Sequence, residues 1–425
     1  MTARITLGTI IEDFSNVALW VLTGTGATHG TDTIYHKEGN ASVWMQNTTA
    51  NMYIQRDHGS LVDMSAGDTI FVHFHVHGDA GLTPGGITTM RIAFIEDSGV
   101  TKYFQFAFNS PGSLAEGDYC IAVKKPAATG GRWDVTGAAD WSRIRYVSLF
   151  VDPFGTDTVK ISWLGIRMGY SATPWIVLTC DDGFTTDYTI VKPLVESYGW
   201  HFSSYVILSK FGLTNLMTRA QCDAIYGAGH DICNHTATHG AGGLIALDQS
   251  ALAAEIDTPY ETLMSYGYTR SAKHFAYPYG SSNSTVVDAV RINHLTGRRF
   301  HTPDMFAHPD LLSGGQYLIP GKDIAEANWA TRSAEIIEAV EAGRPYFCTW
   351  HQITNQANLE SMLAGIAALQ TTYPTLRVGS TSEYYNWLAG FPEPDEVSKD
   401  VVFGDASDSV GTLVPVKKYL CVTGA

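Results

Sequence analysis

Basic residues are scarce in this chain: 27 Lys and Arg stand against 42 Asp and Glu, a formal net charge of −15. Without a basic block to meet a phosphate backbone, a nucleic-acid partner is disfavoured and neutral or weakly charged ligands fit better. Long hydrophobic runs are missing too, so no membrane insertion is expected. Only six cysteines occur in 425 residues, and their spacing gives neither a disulfide framework nor a zinc ribbon. Cys180, Cys233 and Cys348 sit in apolar runs, where a thiol serves as a small buried hydrophobe. Met1 to Gly8 lack the basic start, apolar core and small-residue cleavage site of a secretory leader. Together these predict folding in a reducing compartment. What is present, 45% hydrophobic and 16% charged residues, suffices for two or three domains with ample cores.

Residues 1–170 carry short alternating runs separated by Gly, Asp, Asn and Ser, the pattern of an antiparallel β-sandwich. Strands are expected at Ala41–Gln46, Thr69–Val76, Arg91–Glu96, Tyr103–Asn109, Ile144–Val151 and Val159–Met168. In one of them His73, His75 and His77 share a face; a solvated strand face is expected there rather than a metal site, because no carboxylate or cysteine with ligand spacing accompanies them. Residues 171–390 alternate strand with helix, which predicts parallel βα units. Seven strands at about 175–180, 202–208, 230–234, 273–278, 298–302, 345–350 and 375–379 suggest a distorted (β/α)7 barrel, giving an all-β plus α/β chain. One helix is expected from Asp187 to Tyr198 and another from Ser333 to Ala342. Residues 391–425 read as a linker and a short β-rich tail.

Chemistry concentrates in two places. Trp175-Ile-Val-Leu-Thr-Cys-Asp-Asp-Gly-Phe184 is an apolar strand that ends on two carboxylates, Asp181 and Asp182, with Gly183 allowing a sharp turn. Adjacent like charges at a barrel's C-terminal rim call for a cation or a shared proton. The third strand exits through His230-Asp-Ile-Cys-Asn-His-Thr-Ala-Thr-His239, placing His235 and His239 four residues apart, on one face if the segment is a helical turn. Two imidazoles and one carboxylate make a His₂Asp set that leaves coordination open for water and substrate.

Four phrases in order carry a family resemblance: Thr179-Cys-Asp-Asp-Gly183, His235-Thr-Ala-Thr-His239, Phe275-Ala-Tyr-Pro-Tyr-Gly280 and Phe347-Cys-Thr-Trp-His351. Over about residues 173–390 the chain resembles the polysaccharide deacetylases, the NodB-homology or carbohydrate esterase family 4 domain. The resemblance implies that Asp182, His235 and His239 hold a divalent cation, most often zinc, and that Asp181 is the general base. It further implies that the backbone N–H of Tyr279 meets the oxyanion and that His351 protonates the leaving group. Trp350 is a candidate lining for the acetyl methyl. Two departures stand out. Ala276 occupies the neighbourhood of the third motif's usual arginine, making Lys322 a candidate support for Asp181, and the fourth motif has no clear copy. The sandwich resembles jelly-roll modules that accompany carbohydrate-active enzymes, through Ile11-Glu-Asp-Phe14, Glu38-Gly-Asn-Ala-Ser-Val43 and Asp140-Trp-Ser-Arg-Ile144, with Trp133 or Tyr103 as candidate sugar-stacking rings.

The expected protein is a metal-dependent hydrolase that removes N- or O-linked acetyl groups from a polysaccharide. A weakly catalytic glycan-binding adhesin and a hydrolase of other amides are the alternatives. Acetylated glycans lie outside cells, whereas the thiols and the N-terminus suggest no export. A bacteriophage tail enzyme reconciles the two and is favoured over a secreted bacterial enzyme, with homo-oligomerisation or attachment to a virion as the expected assembly.

Overall fold

A computed structural model describes the chain except residues 1–4, 7, 37–38, 49, 109–113, 115, 127–131, 301–314, 325–326 and 390–425. The expected linker and tail therefore lie outside the described residues.

Alternating runs bury one strand face and pair at their edges, and here they build two six-stranded antiparallel sheets. In the first, Thr69–Val76 lies between Gly117–Lys124 and Val159–Met168. Ser42–Asn47 and Thr28–Asp32 extend it, and Thr9–Glu12 also pairs with Val159–Met168. The second runs Trp133–Thr136, Tyr103–Phe108, Ile87–Ile95, Ile144–Pro153, Met52–Val62 and Trp20–Thr23. Their inner faces share one core that includes Met45, Phe74, Phe94, Leu149 and Trp163.

The solvated histidine face is not what forms. His73, His75 and His77 are buried, because the outer side of their sheet is covered: Phe71, Cys120 and Ala122 pack there with Tyr170 and Ala342. Buried imidazoles need partners. His75 Nδ1 lies 2.8 Å from Asp118 Oδ1, and His77 Nε2 lies 2.7 Å from Ser162 Oγ. Trp133 is likewise a core residue, donating its indole N–H to Lys124 O at 3.0 Å, while Tyr103 donates to Asp134 at the surface.

The parallel part opens with β1 (Trp175–Asp182), followed by β2 (Ser203–Val206), β3 (Asp231–Asn234), β4 (His274–Ala276), β5 (Thr296–Phe300), β6 (Ile319–Asp323) and β7 (Pro345–Trp350). Because β1 pairs with both β2 and β7, the seven close into a ring. The count matches expectation but one member differs. The 375–379 run becomes β8 (Arg377–Gly379), which pairs with the start of β1 outside the ring, and β6 takes the seventh place. Pro320 and Gly321 interrupt the apolar pattern of β6 and hide it in the sequence. The first helix begins as a π turn, Asp187–Val191, before Lys192–Ser197 settles into α geometry.

Side chains alternate across the ring. Ile176, Leu178 and Cys180 pack outward with the helices, while Trp175 and Val177 join Phe347, Tyr384 and Trp387 in a second cluster. Thr179 takes the same parity as Val177, and its hydroxyl meets Thr349 Oγ1 at 3.0 Å. That parity carries Asp181 into the upper lumen.

Candidate active site

The two carboxylates of β1 diverge because the strand ends between them. Asp181 is the last regular inward position and is 2% exposed, whereas Asp182 adopts φ +70° and Gly183 φ +72°, turning the chain over the rim. A Cβ at Gly183 would lie 3.0 Å from Val206 Cγ1, so both conformation and space favour glycine.

The His235–His239 segment is not the expected helical turn. It is an irregular loop in which Thr236 takes φ +71° and His239 φ +55°. Its shape comes from hydrogen bonds: Thr236 N–H to Asn234 Oδ1 (2.9 Å), His239 N–H to Thr236 Oγ1 (3.0 Å) and Thr238 Oγ1 to Glu255 Oε1 (2.6 Å). Tyr279, in the Pro278–Gly280 turn after β4, has φ +58°. Four of the non-glycine residues with positive φ, namely Asp182, Thr236, His239 and Tyr279, thus meet at one rim, and such strain persists where surrounding structure over-determines it.

These turns bring Asp182, His235 and His239 together, with one ligand atom of each within 4.8 Å of the others. Asp182 Oδ1 lies 3.6 Å from His235 Nε2 and 3.8 Å from His239 Nε2. Tetrahedral bonds of about 2.0–2.1 Å place ligand atoms about 3.3 Å apart, and both carboxylate–imidazole gaps lie within a few tenths of an ångström of that separation. Burial pushes the His235 imidazole down to about 4, keeping it neutral near pH 7 as a ligand must be. Its Nδ1 lies 2.9 Å from Ala276 O, and a carbonyl only accepts, so Nδ1 carries the proton and Nε2 presents its lone pair to the site. The donor set fits a divalent cation.

Asp181 faces a different partner. Burial alone would raise its pKa, but the Arg298 guanidinium, with His235 and His351, outweighs that and holds it below the usual carboxylate range. Arg298, 1% exposed on β5, donates from Nη2 to Asp181 Oδ1 and lies 4.8 Å from the Tyr205 ring centroid. The support expected from Lys322 is therefore not there: Lys322 turns to Glu335 at 3.6 Å, and Arg298 takes the place beside the carboxylate. Trp350 does not face the pocket either. Its parity on β7 matches Tyr346 and Cys348, and it packs outward with Leu359 and Met362. His351, one residue past β7, is half-buried near Asp181. The Tyr279 ring, 48% exposed, stands edge-on to His239 at 4.6 Å.

Residues 170–297 match the family model described as polysaccharide deacetylase. No curated protein matches the chain. Solved structures that resemble it include a putative polysaccharide deacetylase from Mycobacterium smegmatis (13% identity, TM-score 0.40, covering 51% of this chain and 91% of that one). Others are the Xyl-CE4 domain of a multidomain xylanase from the hindgut metagenome of Trinervitermes trinervoides (17%, 0.36, 51% and 91%) and a family 4 acetyl xylan esterase from Clostridium thermocellum (18%, 0.36, 51% and 93%). Arg298 and His351 lie beyond the matched segment, so their placement rests on the geometry alone. The stretch that holds Asp181, Asp182, His235, His239 and Tyr279 is the one that matches the polysaccharide deacetylase family.

Proposed function

We propose that the chain is a metal-dependent hydrolase that removes acetyl groups from a polysaccharide. The observation that carries this is the juxtaposition of a converging Asp182, His235 and His239 set with a buried, arginine-paired carboxylate on the adjacent residue. Asp182, His235 and His239 would hold a divalent cation such as zinc, which when bound would supply the positive charge that acidifies a water and polarises an acetyl carbonyl. Asp181, ionised at neutral pH, accepts the proton of the attacking water. The backbone N–H of Tyr279 is the candidate donor to the oxyanion. As the acyl C–N or C–O bond breaks, His351 delivers a proton to the departing nitrogen or oxygen, leaving acetate and a free amine or hydroxyl.

The test is acetate released from a panel of acetylated glycans, with and without chelator, alongside elemental analysis. Release that stops on chelation and returns with zinc is expected; release indifferent to chelator, or none from any glycan, sinks the reading. Asp181→Asn should lose at least about 10³-fold in turnover while keeping its metal, and Asp182→Asn should lose the metal. An exchange of those two phenotypes reverses the assignment of the carboxylates. The wider proposal places the enzyme on a virion, processing a host surface glycan. Flanking tail and baseplate genes support it, and a native reading frame encoding a signal peptide overturns it.

A further inference from the structure

Beside the Tyr279 turn a cavity of about 410 Å³ opens between the two parts of the chain. Pro84, Gly85 and Glu116 wall it from the sandwich, Ile245 and Gly280–Asn283 from the barrel. A second cavity of about 320 Å³ continues along the helix Ser284–Asn293, with Tyr35, His75 and Asp118 on one side and Asp288 and Arg291 on the other. Glu116 lines both and joins them into one trough, and Gly280, the neighbour of Tyr279, lines its first part. Each volume lies within the ~300–1,000 Å³ range of small-molecule sites.

The lining has a definite chemistry. Among the described residues the Ser282 hydroxyl and His75 Nε2 are buried without a hydrogen-bond partner, a costly state that a hydroxyl-bearing ligand relieves. Tyr35 stacks on His75 with centroids 3.5 Å apart, fixing a rigid aromatic surface in the wall. The cations are engaged: Arg299 donates to Gly280 O and Tyr119 OH, and Arg291 pairs with Asp288 at 3.1 Å. Arg299 lines the first cavity with Glu116 and donates to neutral oxygens, so across both cavities Glu116, Asp118 and Asp288 stand against Arg291 and Arg299, an excess of one carboxylate.

We propose that this trough binds the glycan chain that leads to the acetyl group under attack, so that the sandwich is one wall of the substrate cleft rather than a detached binding module. Sugar rings offer apolar faces to Tyr35 and hydroxyls to Ser282 and His75. The excess of carboxylates along the lining selects uncharged or amino-bearing polymers over uronic-acid chains. The proposal rests on the deacetylase reading for its ligand class but is tested by binding alone.

The full-length protein, held in chelator so that nothing turns over, is run through native gels containing glycol chitin, acetylated xylan or acetylated polygalacturonate. At least one neutral polymer should retard it, polygalacturonate should not, and Gly85→Trp and Ser282→Trp, one from each wall, should each weaken retardation about tenfold. Variants that melt like wild type yet are retarded equally, retardation by none of the polymers, or the strongest retardation by polygalacturonate overturns the trough. Acetate release is scored separately. Retardation without release keeps the trough and sinks the deacetylase, and release with retardation unchanged in both variants does the reverse.

Discussion

Asp181 and Arg298 are both nearly inaccessible, and each is tolerable only because of the other. Removing one partner of a buried pair costs about 3–5 kcal/mol, since the remaining charge is stranded. Arg298→Met should therefore lower stability by that order and also change the chemistry. With burial no longer opposed by the guanidinium, the Asp181 pKa rises, and the acid limb of the pH–rate profile moves to higher pH. The sign for stability follows: a depressed carboxylate pKa contributes stability present above the unfolded value of about 3.9 and lost as pH falls through the folded one. Wild type should accordingly lose more stability than Arg298→Met on acidification below about pH 4. A profile with its acid limb unmoved removes Arg298 from the support of the base. The convergence of Asp182, His235 and His239 was legible in the sequence because the His-x-x-x-His and Asp-Asp spacings are local. Arg298 was not, because its partner lies 117 positions away. The clue was present in Thr296-Gly-Arg-Arg-Phe300, where two arginines in a barrel strand oblige one to face inward and find a carboxylate.

At the scale of elements, strand parity decided what the sequence left ambiguous. Trp350 adjoins a catalytic candidate yet packs outward, while Thr349 faces the lumen, a distinction that needs the register of β7 against β1. The turn after β1 was legible as a helix but not as a π turn, which opens on Asp187. This fully buried carboxyl accepts from Ser204 Oγ at 2.6 Å and thereby ties the turn to β2. Burial foremost, then the neighbouring Asp181 and Asp182 charges, push its pKa well above the ordinary value. A raised folded pKa means stability complete below about pH 3.9 and lost as pH climbs through the folded value. Asp187→Asn cannot ionise and escapes that loss. Its melting midpoint minus that of wild type should grow as pH rises above about 4, and a difference independent of pH would show that Asp187 is ionised in the fold.

For the whole molecule, two kinds of sheet could be read from the sequence, and their docking could not, because it depends on surfaces that no local pattern encodes. The apolar core crosses the boundary: the cluster that holds Phe74 and Tyr119 of the sandwich also holds Leu252, Val287 and Leu318 of the barrel. Polar ties reinforce it, from Arg132 to Glu338 and from Arg299 to Tyr119 OH. A close approach is at Gly117, whose φ of +145° disfavours any other residue and where a Cβ would fall 2.2 Å from Leu318 Cδ1. Gly117→Val should therefore act as a wedge. With the shared core intact, wild type is expected to melt in a single cooperative transition, since neither part can unfold without exposing the other's apolar face. The wedge should lower the first transition by several degrees, on the scale of about 2–4 °C per kcal/mol for domains of this size, and separate a second from it in the calorimetric trace. It should also weaken glycan retardation, because the trough is bounded by the same two walls. A variant that melts once, at the wild-type temperature, would show that the parts are not coupled through this contact.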